Sequence, residues 1–177
     1  MILHLMPARM REFLERHIAS RHYASWVALV SFGLTLVPSV PFGAVLCSAV
    51  LLDNRRWVRI WLLSSLAAAA GSLILFAFFH HLGWDQLVVR FPGIVQSGVY
   101  ARVSGWVAAW GVWALFLVTV IPLPQTPALA VCAVVAQPLP LAFLALLGGK
   151  GLRYGAYAWL AAKSPQKARA IAARYGI

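Results

Sequence analysis

Apolar runs and short basic stretches alternate along this chain, and two of the runs are broken by proline. Residues 25–52 are apolar but divided at Pro38–Gly43, and residues 106–136 are apolar but divided again across Pro122–Pro127. Residues 60–82 and 141–162 are unbroken. Proline lacks an amide hydrogen and clashes with the preceding turn, and the residue before it leaves the helical region. The arms around the first break hold about 13 and about 9 residues, against the roughly 20 that a helix needs to cross a bilayer. The pattern therefore predicts a re-entrant hairpin over 25–52, a span over 60–82, a second hairpin over 106–136 and a span over 141–162. Between them, 83–105 is expected to be a polar connection. Trp84, Leu87, Val88 and Phe91 form a short amphipathic turn there, ended by Pro92-Gly93.

The two halves echo each other. Shifted by 84 positions, Trp26 falls on Trp110, Phe32 on Phe116, Thr35 on Thr119, Pro38 on Pro122, Ala44 on Ala128 and Gly71 on Gly155. Two copies of one unit, about 25–82 and about 106–162, make a single membrane domain over 25–162. Backbone groups freed at a break must be buried in protein or line a wet cavity. Paired broken helices in two halves are a sequence pointer to a transport site. The breaks are marked by Pro38, Pro41 and Gly43 in the first copy and by Pro122, Pro124 and Pro127 in the second.

Composition agrees with a membrane solvent. The hydrophobic fraction is 62%, with 11% charged residues and a mean hydropathy of +0.81, where a soluble domain is about half apolar. The net charge of +11 would suit nucleic acid, but its placement points elsewhere. Arg9, Arg11, Arg16 and Arg21 precede the first apolar run, Arg55, Arg56 and Arg59 separate two runs, and Lys163, Lys167, Arg169 and Arg174 follow the last. With both hairpins re-entrant these groups share one side, and only Arg90 and Arg102 face the other. Basic flanks are cytoplasmic, so both termini are expected in the cytoplasm, the two hairpins enter from opposite faces, and the repeat is inverted. Six full spans would give the same parity; arm length alone favours hairpins. Anionic lipid headgroups are the implied partner, nucleic acid is not, and a homo-oligomer is compatible with the pattern.

Residues 1–24 place Met6, Met10, Phe13, Leu14 and Ile18 on one face of a basic amphipathic helix, expected at the membrane surface. The tail 163–177 opens with Ser164-Pro165 and carries a similar stripe of Ala168, Ile171, Ala172 and Tyr175. Cys47 and Cys132 sit in apolar runs with no metal-ligand spacing, so neither a disulfide framework nor a metal site is expected. No cofactor motif and no catalytic constellation is present, so an enzyme is not expected.

Lys150 and Arg153 lie midway along the last apolar run, one helical turn apart. Each costs about 2.5–3.5 kcal/mol at a bilayer centre, so they face an interior or a wet path. They are candidates to clamp an anionic headgroup, or to satisfy hairpin carbonyls freed by proline. Asp53 closes the first hairpin; it could pair with Lys150 or Arg153 or relay a proton, and more often such an acid caps the next helix or solvates a turn. His80 and His81 end the second run and are expected to be passive at an interface. Trp57, Trp84, Trp106 and Trp159 fall near membrane edges, as belt residues do.

Gly149-Lys150-Gly151-Leu152-Arg153-Tyr154 is similar to a GK-x-x-RY signature. With the two proline-broken segments and Gly71…His81-Leu82-Gly83, the chain from about 26 to 162 resembles the DedA, or VTT-domain, membrane proteins, and in particular their short YqaA-like branch. The resemblance implies an all-α, polytopic membrane fold with two opposed re-entrant hairpins, in the cytoplasmic membrane of a bacterium. It also implies movement of a lipid, such as a polyprenyl phosphate or a phospholipid, across the bilayer. The family's first hairpin usually carries a glutamate, which Pro38-Ser39-Val40-Pro41-Phe42-Gly43 lacks. Its second usually carries two arginines, where this chain has Thr119 and Gln125. Those two neutral side chains could hold a headgroup by hydrogen bonds or satisfy broken backbone. The expected substrate-binding set is Lys150, Arg153, Thr119, Gln125 and Asp53. The alternatives are a proton- or ion-coupled small-solute transporter and a non-transporting membrane scaffold.

Overall fold

The computed structural model describes residues 12–13, 16–18, 20–36, 42–96, 98–121, 125–134 and 137–163. Every regular element among them is helical: α1 Tyr23–Leu36, α2 Phe42–Leu52, a 3₁₀ turn Asn54–Arg56, α3 Trp57–Arg90, α4 Pro92–Val95, α5 Gly98–Trp110, α6 Val112–Val120, α7 Gln125–Val134 and α8 Leu139–Lys163. The chain is all-α, as the pattern predicts.

The contacts divide the chain into two units, Met1–Ala68 with Gly151–Ile177, and Ala69–Lys150. Each holds one broken pair of helices and one part of each long helix. The first has α1 and α2 with the start of α3 and the end of α8; the second has α6 and α7 with the remainder of α3 and the start of α8.

The helix ends keep the 84-residue register. α1 stops at Leu36 and α6 at Val120, each two residues before the matched prolines Pro38 and Pro122. This follows from the exclusion of the pre-proline residue from the helical region. Pro38, Pro41, Pro122 and Pro124 themselves lie outside the described residues. Two of the expected break residues do not belong to a break. Gly43 is the second residue of α2 and Pro127 the third of α7, both buried. In the first turn of a helix an amide has no intrahelical acceptor, so proline is tolerated there.

The second arms are the most enclosed elements. Phe42 to Val50 of α2 and Pro127 to Ala133 of α7 are buried without interruption. A helix that is apolar and small all round has no polar face to give to water. Around α2 gather Tyr23, Val27, Ile60 and Ala158; around α7 gather Phe76, Leu115, Val118 and Leu146.

The first part of α3 with its leading turn runs Asn54–Gly83, 30 residues that hold an 18-residue stretch of mean hydropathy 2.1. At about 1.5 Å per residue that is roughly 45 Å, against a hydrocarbon core of about 30 Å. Among the described residues it is the one helix both long and apolar enough to cross a membrane. α8 has 25 residues, but Lys150 and Arg153 interrupt its apolarity. Gly83 ends the apolar stretch with φ 67° and ψ 176°, a region open essentially to glycine. Beyond it the chain stays helical to Arg90.

The expected polar connection over 83–105 is instead largely helical. Pro92 opens α4 rather than closing a turn, and α5 begins at Gly98, eight residues before the expected start of the second copy at 106. Val103 and Val107, one turn apart, are buried in the second unit's core, with Phe91 and Tyr100 packed against it. That burial makes the segment a helix despite its polar composition. Gly111 (φ 57°) then breaks the arm between α5 and α6; its partner in the first copy is Val27, inside an unbroken α1.

Of the amphipathic N-terminal stretch, the described Phe13 and Ile18 pack on the first unit's core. Phe13 and His17 meet the Trp26 ring at 5.5 and 5.2 Å. This part of the stripe is partly covered by protein. The stretch after Lys163 lies outside the described residues.

Candidate functional site

In the first unit a polar seam runs through apolar surroundings. The Ser31 hydroxyl donates to the carbonyl of Ser64 on α3 at 3.0 Å, and Thr35 donates to the Ser31 carbonyl at 2.8 Å. The Tyr154 side chain of α8 shares a hydrogen bond with Ser31, and its ring packs 5.0 Å from that of Phe42. Ser31, Thr35, Ser64 and Tyr154 are all buried. The seam therefore links α1, α3 and α8 by hydroxyls.

The Trp61 indole fixes α8 at this level. Its N–H donates to the Gly151 carbonyl at 2.7 Å, and a Cβ on Gly155 would lie 3.0 Å from its ring. Two residues beyond Gly151, Arg153 turns its guanidinium carbon to 5.7 Å from the Tyr157 ring centroid, a cation–π distance. The Nε of Arg153 is buried and has no hydrogen-bond partner among the described residues; the same holds for the hydroxyls of Ser48 and Ser64. A buried donor left unpaired costs about 1–3 kcal/mol. Three such groups in one apolar unit are what a polar ligand or water would satisfy.

The second unit repeats the packing with glycines in place of the seam's serines. Thr119, the partner of Thr35, donates back to Leu115 at 3.0 Å and to Phe116 at 2.8 Å within its own helix. Ser64 and Ser65 are replaced, 84 positions on, by Gly148 and Gly149. A Cβ on Gly148 would lie 3.4 Å from the Phe116 ring, and one on Gly149 would overlap the Thr119 hydroxyl. In both units the first arm of the broken pair meets small residues at the same register of its long helix. Lys150 follows at 4% exposure.

The expected binding residues thus separate. Arg153 stands in the first unit beside Tyr154 of the seam, and Lys150 is buried in the second. Thr119 has its hydroxyl committed to its own backbone, so the backbone role applies to it. Thr119→Val is expected to cost less than about 1 kcal/mol in detergent unfolding, because it deletes a back-bond and no tertiary hydrogen bond; a larger loss would assign the hydroxyl a tertiary hydrogen-bond partner. Gln125 opens α7, half-buried. Asp53 pairs with Arg56 at 3.3 Å and makes no side-chain cap, and Arg56 also donates to the Ser20 carbonyl at 2.6 Å. Asp53 therefore braces the turn with Arg56, which replaces both expected cation partners and the expected helix cap. His80 donates from Nδ1 to the Ala133 carbonyl at 2.9 Å, a structural tie between α3 and α7. Asn54 donates to the Ala162 carbonyl at 3.1 Å, satisfying one of the orphan carbonyls at the end of α8.

Sequence reasoning passed over Ser31, Ser64 and Tyr154. The Ser64-Ser65 doublet inside an apolar run, at the register of Gly148-Gly149, was the available signal. No family model, no curated protein and no solved structure matches this chain.

Proposed function

We propose that this chain is a polytopic membrane protein that moves the headgroup of an anionic lipid across the bilayer. The observation that carries the reading is Arg153, a cation on a long helix whose buried Nε lacks an acceptor among the described residues, beside a seam of buried hydroxyls. A phosphate oxygen is the acceptor that a guanidinium fork best matches. Further support comes from the exposed apolar side chains Leu62, Leu66, Ile74 and Phe78, spaced by four or eight along α3. Such a stripe suits lipid contact and is out of place in water. The matched ends of α1 and α6 support two copies of one unit.

In this reading the copies form an inverted repeat of DedA, or VTT-domain, type, with re-entrant hairpins entering from opposite faces of a bacterial cytoplasmic membrane and both termini in the cytoplasm. Lys150 supplies a second cation on the helix that carries Arg153.

The test is transbilayer movement of fluorescent anionic and zwitterionic lipids in liposomes holding the purified protein. It compares wild type with a folded Lys150→Gln/Arg153→Gln variant. Anionic lipid is expected to move faster in the wild type and to fall by at least about tenfold in the variant, since a charge-assisted hydrogen bond is worth roughly 1.5–3 kcal/mol. Equal movement in both removes the two cations from the mechanism. No movement of any lipid overturns the reading in favour of solute transport or a scaffold.

A further inference from the structure

Gly111, at positive φ, joins α5 to α6 within the second unit, and a cleft of about 290 Å³ lies between the two helices. Trp106 and Trp110 line it from α5, Leu117 from α6 and Ile121 from the cap of α6. Each pair is spaced by four residues, so each helix offers one continuous stripe. The walls are apolar, yet Trp106, Trp110 and Ile121 remain exposed. One turn before Trp106 on α5 stands Arg102, also exposed. Between Arg59 and Lys150 the sequence has only two cations, Arg90 and Arg102, and after Asp85 it has no acidic residue at all. Among the described residues the ion pairs are Glu12–Arg16 and Asp53–Arg56, so Arg102 is in none. Its charge is open to an anion from outside the chain.

We infer that this cleft is a docking site for an anionic phospholipid, with the phosphate on Arg102 and one acyl chain between the tryptophan pair and Leu117–Ile121. An apolar slot with a single cation at one end matches an amphiphile with a hydrocarbon tail and a negative head. A headgroup without a tail would leave the slot unfilled, and a zwitterionic lipid would bring its own cation to Arg102. Ile121 ends the stripe immediately before the second break, so the chain-binding slot leads to the break of the second hairpin in the transport reading. The inference rests on that reading for its purpose, but not for its test.

The test uses full-length protein in liposomes with photoactivatable phosphatidylglycerol or phosphatidylcholine carrying the diazirine in one acyl chain. Labelling is mapped on the segment 106–121. Phosphatidylglycerol is expected to label it about fivefold more than phosphatidylcholine, the ratio that one arginine contributes near a lipid surface. Arg102→Gln is expected to bring the two to parity, Arg102→Lys to restore the preference, and Leu117→Trp to suppress labelling by filling the slot. Equal labelling by both lipids in the wild type means an ordinary aromatic belt and overturns the inference. So does a preference that survives Arg102→Gln. Labelling is read separately from transport. Preferential labelling without movement of any lipid sinks the transport reading alone; lipid movement without preferential labelling sinks the docking site alone.

Discussion

Gly149→Ala is expected to destabilise the second unit severely, whereas Gly151→Ala, two residues along the same helix, is expected to be neutral or slightly stabilising. A methyl group on Gly149 would overlap the Thr119 hydroxyl and would sit 2.9 Å from both the Thr119 Cβ and the Phe116 carbonyl oxygen. The hydroxyl can rotate away, but the Cβ and the carbonyl are fixed to the α6 backbone. Relief requires α6 and α8 to separate, and overpacking of this kind costs about 1–3 kcal/mol or more. Alanine's helix propensity offsets at most about 1 kcal/mol of that, so the clash wins. At Gly151 a Cβ meets nothing within 4 Å, and only the propensity gain remains. The measurement is reversible unfolding of both variants in detergent, followed by circular dichroism. Equal midpoints would show that α6 does not press on Gly149 and would remove the close approach at this register. Small residues at helix crossings are the usual means of packing where lipid supplies no hydrophobic drive, so the result also bears on the membrane reading.

What could be read in advance follows from how local each cause is. Proline acts on its immediate neighbours, so the ends of α1 and α6 at Leu36 and Val120 were legible from Pro38 and Pro122. Lys150 and Arg153 stood out because a charge in an apolar run is expensive wherever the chain goes. The seam was harder. A serine in an apolar run looks the same whether its hydroxyl bonds its own helix, as Ser65 does to Trp61, or a neighbouring one, as Ser31 does to Ser64. Only the packing of α1 on α3 separates the two cases. The helicity of 98–110 was missed for a related reason. Val103 and Val107 are a short apolar stripe in a polar stretch, and the partners that bury them come from distant positions in the chain. Asp53 is the opposite case, a local outcome beside an open long-range option. A lone acid suggests a long-range partner, yet Arg56, three residues away, takes it up.

Arg153→Leu is expected to make the protein more stable and, on the proposed function, to abolish lipid movement. An arginine near the middle of a membrane helix costs about 2.5–3.5 kcal/mol on insertion scales, where leucine is favourable by roughly 0.5 kcal/mol. Part of that cost is the lost hydration of the buried Nε, which has no partner among the described residues. Against these stands the loss of the contact with the Tyr157 ring, worth about 0.5–2 kcal/mol. Replacing buried ionic groups with apolar ones of similar volume is often stabilising by about 1–4 kcal/mol, and the balance here has that sign. Unfolding in detergent should therefore shift toward higher denaturant, while anionic lipid movement in liposomes falls to that of protein-free vesicles. Such a divergence is what a functional residue held at a cost to folding produces. A scaffold would give the opposite result, because an arginine retained to clasp α8 in place would lower stability when removed. A less stable Leu variant would accordingly make Arg153 a structural clasp and end its headgroup role. A stable variant with undiminished transport would place the lipid path elsewhere in the chain.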